Sequence, residues 1–154
     1  MIKVTIITVS NTMPKPISDI WEEYKKRINK NYQIELKEIK PEHRNKNKTT
    51  SQSISVEGKK IILAIPSNSY IIVLDEKGED YDTKKFAIYF NQISEQDITF
   101  IIGGADGLDD SVKKICKKKI KLSSLTFPHH MVKILLIEQL YRVWSILNNH
   151  PKVY

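Results

Sequence analysis

The chain has 154 residues and a mass of 17.9 kDa, the length of one domain, and can bury roughly two-thirds of the surface it exposes when unfolded. It needs no metal or disulfide staple, and its single cysteine, Cys116, excludes an intrachain disulfide and a multi-cysteine zinc site. Lysine and arginine number 25 against 18 acidic residues, a formal charge of +7, which points to polyanionic partners, nucleic acid before anionic membrane.

Ile2 to Val9 is rich in β-branched residues and reads as a first strand. Asn11 to Pro16 is a turn in which Pro14 and Pro16 are expected to hold back a helix. Ile17, Ile20, Trp21, Tyr24 and Ile28 then recur at helical spacing. Gln33 to Ile39 reads as a second strand. Lys40 to Thr50, with Lys40, His43, Arg44, Lys46 and Lys48, is a basic loop with no turn chemistry beyond Pro41. Ser51 to Ala64 is expected to be a weak helix interrupted by Gly58.

Tyr70 to Leu74 is an apolar run suited to a buried parallel strand. Thr83 to Ile93 carries Phe86, Ala87, Phe90 and Ile93 on one helical stripe, and Ile98 to Ile102 is a fourth strand. Asp109 to Lys118 predicts a short helix, Ile120 to Leu125 a short strand, and His130 to Leu147 the longest helix. This alternation argues for an α/β fold with a mainly parallel sheet and helices on both faces, residues 1–154 forming one domain.

The last helix is apolar nearly all round, as a helix buried on two sides must be. The expectation is a symmetric homodimer; the alternative is a central helix covered by its own chain. No apolar run approaches the ~20 residues of a membrane span. Met1 to Val9 lacks the basic region and cleavage site of a signal peptide, so a cytoplasmic location is expected.

Gly103-Gly104-Ala105-Asp106-Gly107 follows the fourth strand, at the carboxyl edge where open α/β sheets hold ligands. It matches neither G-x-G-x-x-G nor the Lys-Ser/Thr ending of a phosphate loop, which disfavours a dinucleotide-dependent oxidoreductase. By itself it suits a cofactor loop or an ordinary strand-to-helix turn. Leu74 to Gly78 should lie beside it, its acids receiving ribose hydroxyls or merely solvated. Leu122 to His129 could offer backbone groups to an adenine edge in an apolar slot, or be an edge strand stopped by Pro128.

His129 and His130 open the last helix, where the helix dipole disfavours imidazolium. Either could accept a proton or act as a polar cap. Glu138 and Arg142 are spaced for an i, i+4 ion pair, although an arginine on so apolar a helix also suits phosphate or carboxylate recognition. The four histidines lack metal-ligand spacing. Lys113, Lys114, Lys117, Lys118, Lys119, Lys121 and Lys133 form a run read either as a phosphate-binding face or as solvated charge.

Val9 to Pro14, Leu74 to Gly78, Ile101 to Leu108, and Leu122 to His129 continuing to Ile137-Glu138-Gln139-Leu140-Tyr141-Arg142 together resemble the bacterial large-subunit rRNA pseudouridine N3-methyltransferases of the SPOUT superfamily. The similarity runs from Met1 to Pro151. The resemblance implies a SPOUT-type domain with a carboxyl-terminal trefoil knot, a homodimer, and S-adenosylmethionine as cofactor. Leu74, Gly103, Leu122, Ser123, Ser124, Leu125, Thr126 and Phe127 would line the cofactor pocket, with Gly104 flanking it. The target would be N3 of a pseudouridine in 23S rRNA of the assembled ribosome, with no membrane or metal partner. His129 would orient or accept the N3 proton and Arg142 would steer the RNA. The tail Lys152-Val153-Tyr154 departs from the family's Tyr-His ending, so the alternative is a non-catalytic ribosome- or rRNA-binding protein that keeps the fold.

Overall fold

Strand and helix alternate along the whole chain. The computed structural model describes residues 1–28, 30–43 and 47–150; Arg44, Lys46 and the tail Lys152-Val153-Tyr154 lie outside them. The elements are β1 (Ile2–Val9), α1 (Lys15–Ile28), β2 (Tyr32–Ile39), α2 (Thr50–Ala64), β3 (Tyr70–Asp80), α3 (Thr83–Ile93), β4 (Ile98–Ile102), α4 (Asp110–Ile115), β5 (Lys118–Lys121) and α5 (His129–Leu147). Five parallel strands form one sheet in the order β2-β1-β4-β3-β5.

Period-two alternation sends side chains to two cores. Val4, Ile6, Ile72, Phe100 and Ile102 face α1, α3 and α5 with Trp21, Phe90 and Leu140. Ile7, Val9, Val73 and Ile101 face α2 and α4 with Ile61 and Val112. Helices therefore cover both faces, as the alternation predicts. Helix α5 lies between α1 and α3, and of its apolar residues only Met131, at 38%, is exposed. Its all-round apolar character is met largely by its own chain, so that pattern alone does not require a second subunit.

Several boundaries differ from the sequence expectation. Pro16 sits inside the first turn of α1, where its missing N–H would have had no intrahelical partner. Helix α2 is continuous through Gly58 and opens with a capping box: Gln52 N donates to Thr49 Oγ1 at 3.1 Å and Thr49 N to Gln52 Oε1 at 2.8 Å. Gly58 is where α4's cap touches α2, since a Cβ there would stand 3.0 Å from Cβ of Asp109.

The largest difference concerns β3 and β5. Strand β3 runs on to Asp80, and β5 ends at Lys121 instead of reaching Leu125. Ile120 is in register with both Leu74 and Glu79, so Asp75–Gly78 is expelled from the ladder as a wide bulge. Gly78 makes this possible: any Cβ would fall 2.7 Å from the backbone of Ile120. Leu122–Phe127 leaves the sheet as a loop because no strand beyond β5 receives it.

Candidate active site

A cleft of about 970 Å³ opens at the carboxyl ends of β1, β4 and β5 and at the bulge of β3. Parallel pairing puts these points on one edge of the sheet, so segments distant in sequence meet there. The expelled Asp75–Lys77 turn forms one wall, Gly103–Leu108 the floor, Leu122–Phe127 another wall, and Val9–Asn11 with His129 and His130 the end.

Each loop has a local cause. Asp75 Oδ1 accepts from Lys77 N at 2.9 Å, closing the bulge as an Asx turn. The glycine segment is a tight turn in which Gly107 N donates to Gly104 O at 3.1 Å. Gly107 adopts φ +84°, a left-handed conformation that favours glycine. Asp109 caps the helix that follows, and bonds from the Ser111 hydroxyl and backbone hold its carboxyl below the usual range. Ser123 Oγ accepts from Leu125 N at 3.0 Å, which turns the last loop back on itself.

Leu74, Gly103, Gly104, Leu122, Ser123, Leu125, Thr126 and Phe127 all border the cleft. Ser124 is exposed and does not line it. His129 does, and its Nε2 lies 2.5 Å from the carbonyl oxygen of Val9. A carbonyl only accepts, so Nε2 carries the proton and Nδ1 is the acceptor of the neutral ring. Arg142 does not reach this cleft. It lies thirteen positions beyond His129 on α5, about 20 Å at 1.5 Å per residue. It donates to Glu138, the i, i+4 pair that the spacing allows. Glu138 also accepts from Gln139 at 2.9 Å, and Gln139 accepts from Thr83 Oγ1 at 2.7 Å, so the pair is tied to the start of α3.

Three lysines of the run, Lys113, Lys118 and Lys133, have acidic partners on distant elements. Lys118 pairs with Glu79 at 2.9 Å, and Lys113 lies 3.9 Å from Asp75. Lys133 is fully buried, with Nζ 2.9 Å from Glu38 Oε2. Across the cleft, Lys60 and Lys48 hold the carboxyl of Glu42 down to about 2, and Glu42 N donates to the buried Glu57 at 2.9 Å. His130 has its pKa lowered by burial first and then by Lys133 and His129. The sequence reading missed the grouping of Glu38, His130 and Lys133. Its only trace there was His130 and Lys133 at i, i+3 near the start of α5. Among the described residues no group of three or more His, Cys, Asp or Glu could hold a metal, and no helix is long and apolar enough to cross a membrane.

The sequence profile described as predicted SPOUT methyltransferase matches residues 2–152. The chain belongs to that family. Among SPOUT relatives, a protein of Bordetella petrii named ribosomal RNA large subunit methyltransferase H is 44% identical over 151 residues, 97% of each chain. A protein of the same name from Ralstonia pickettii is 45% identical over 148 residues, 95% of each. A probable rRNA-methyltransferase of known structure from Porphyromonas gingivalis superposes with a TM-score of 0.57 at 10% identity. That match covers 95% of this chain and 70% of the other. At that identity the likeness speaks for the SPOUT fold alone, and the parallel sheet with helices on both faces agrees with it.

Proposed function

We propose that the protein is an S-adenosylmethionine-dependent methyltransferase acting on N3 of a pseudouridine in 23S rRNA of the assembled ribosome. The observation that carries this reading is the convergence of Leu74, the Gly103–Leu108 turn and Leu122–Phe127 on one cleft, in a chain similar over 97% of its length to relatives named for large-subunit rRNA methylation. A non-catalytic binding protein would have no use for such a cleft.

The residues present fit the cofactor. A cleft of this volume falls within the roughly 300–1,000 Å³ typical of small-molecule sites. Leu74, Leu122 and Phe127 offer apolar surface for an adenine, and at Gly107, where a Cβ would meet nothing within 4 Å, the backbone is left uncovered. When bound, S-adenosylmethionine supplies a methyl group on a sulfonium, already a good electrophile. The protein's work is then to orient the base, exclude water and take the N3 proton. His129 Nδ1 is the atom that accepts it, with the ring fixed through Nε2–H to Val9 O.

The reading includes a carboxyl-terminal trefoil knot, one domain over residues 1–154, a cytoplasmic location and a homodimer. For the dimer, supporting features lie on the outer α1–α5 seam. Tyr24, Tyr141, Trp144 and His150 pack there with Arg27, and the buried Trp144 Nε1 has no partner among the described residues. In a dimer Arg142 serves RNA at the joint between subunits rather than in its own cleft.

The test is calorimetric titration with S-adenosylmethionine, followed by transfer of labelled methyl to ribosomes lacking the modification. Saturable binding with stoichiometric transfer to N3 is the expected result. Binding without transfer to any ribosomal particle would leave only the non-catalytic reading standing.

A further inference from the structure

Near the start of α5 a buried ammonium, a carboxylate and an imidazole form a group that the proposed reaction has not yet used. Lys133 has no exposed surface, and its Nζ lies 2.9 Å from Glu38 Oε2 on β2 and 3.4 Å from Nδ1 of His130. An ammonium has only donors to offer. A proton on Nδ1 would point at this cation, so the imidazole turns its lone pair there and carries its proton on Nε2. His130 is among the residues that border the cleft.

We propose that His130 is a catalytic hydrogen-bond donor to a carbonyl oxygen of the substrate base, and that Lys133, anchored by Glu38, is the positioning residue that fixes its tautomer. This rests on the methyltransferase reading above. Loss of the N3 proton from a uracil-type base spreads the nitrogen's electron pair onto the two flanking carbonyl oxygens. A donor aimed at one of them stabilises charge that develops only as N3 is deprotonated. The two adjacent histidines thus take opposite roles: His129 presents an acceptor at Nδ1, and His130 presents a donor at Nε2.

The ring must stay neutral for this to work as argued. The charged and titratable groups facing it are Lys133 and His129 on α5 and Glu38 on β2. Glu42 and Glu57 border the same cleft. Burial, Lys133 and His129 oppose protonation and Glu38 favours it, with a net downward shift.

Two measurements on the intact protein test the proposal. Long-range proton–nitrogen NMR of the His130 ring should show Nε2 protonated and Nδ1 unprotonated at pH 7. Lys133→Met should mix the tautomers and raise the pH at which the ring titrates, while Lys133→Arg should preserve both. If Lys133→Met does not fold, the double variant Glu38→Gln with Lys133→Met removes both charges together and should give the same mixing. In single-turnover methylation of ribosomes, His130→Phe should lower the rate about 100-fold, with S-adenosylmethionine affinity within threefold of the parent. A wild-type ring protonated on Nδ1, or a His130→Phe rate within threefold of the parent, would overturn the proposal. A parent protein that binds the cofactor but methylates nothing overturns the enzymatic reading and the donor role with it. In that case the NMR result still decides whether Lys133 sets the tautomer.

Discussion

Nε2 of His129, the first residue of the last helix, donates to the carbonyl oxygen of Val9, the last residue of the first strand, although 120 positions separate them. This bond leaves Nδ1 as the acceptor of the neutral ring and pins the start of α5 to the sheet edge. His129→Ala should lower the methylation rate by about 10²-fold or more, the usual contribution of a positioned acid or base. Cofactor affinity should change little. His129→Gln places an amide N–H near the position of Nε2, so it can still donate to Val9 O but has no basic nitrogen; it should keep most of the parent's thermal stability and lose the same activity. Rapid-quench methylation with calorimetry on each variant checks this, and full activity in His129→Gln would remove His129 as the proton acceptor.

Gly78→Ala should be costly for its size. The added methyl would lie 2.7 Å from Ile120 backbone atoms, which cannot rotate away. A destabilisation of about 1–3 kcal/mol is expected from overpacking. Because the bulge forms a cleft wall, weaker S-adenosylmethionine binding should accompany it. Thermal unfolding and calorimetry read both effects, and unchanged values in the two would refute the bulge geometry.

Thr49→Ala removes one half of the α2 capping box and should cost about 1 kcal/mol, a lowering of Tm by about 2–4 °C in a protein of this size. Thr49→Ser keeps the oxygen and should cost much less. A Tm for Thr49→Ala equal to the parent's would mean that the cap contributes nothing.

Glu42 gives a signed pH dependence. Its carboxyl lies at about 2 in the folded protein, against 4.5 ordinarily, because Lys60 and then Lys48 donate to it. The unfolded chain therefore binds this proton more readily. The associated stability is present above about 4.5 and is lost as pH falls toward 2. Replacing Lys48 and Lys60 together by Met should return the NMR titration of Glu42 to the ordinary carboxylate range. A titration that stays near 2 would assign the shift to other neighbours.

What the sequence made legible divides along the range of the interactions concerned. Strands β1 and β4 and helix α3 lie where their apolar spacing puts them, because each buries a face that its own residues define. The end of β3 and the brevity of β5 were not readable. Both follow from Leu74 and Glu79 sharing Ile120, a pairing between elements far apart in the chain. The Thr49-x-x-Gln52 box was present as a signal and went unread. Lys133 looked like part of a solvated run, and its burial is set by Glu38, 95 positions earlier. That Leu74, Gly103–Leu108 and Leu122–Phe127 would meet was legible through the resemblance to a family, and they do line one cleft. The placing of Ser124 outside the cleft and of Arg142 far from it required the path of the loops and the length of α5.

The shared partner of Leu74 and Glu79 also couples two parts of the cleft. The Asp75–Gly78 turn is clamped at both ends by β5, and Leu122–Phe127 hangs from the carboxyl end of the same four-residue edge strand. Peeling away that short edge strand would loosen both walls in one event, whereas neither wall can swing far while it stays zipped. A molecule gripped by both walls should therefore slow the amide exchange of Ile120 and Lys121, at the foot of the walls rather than on them.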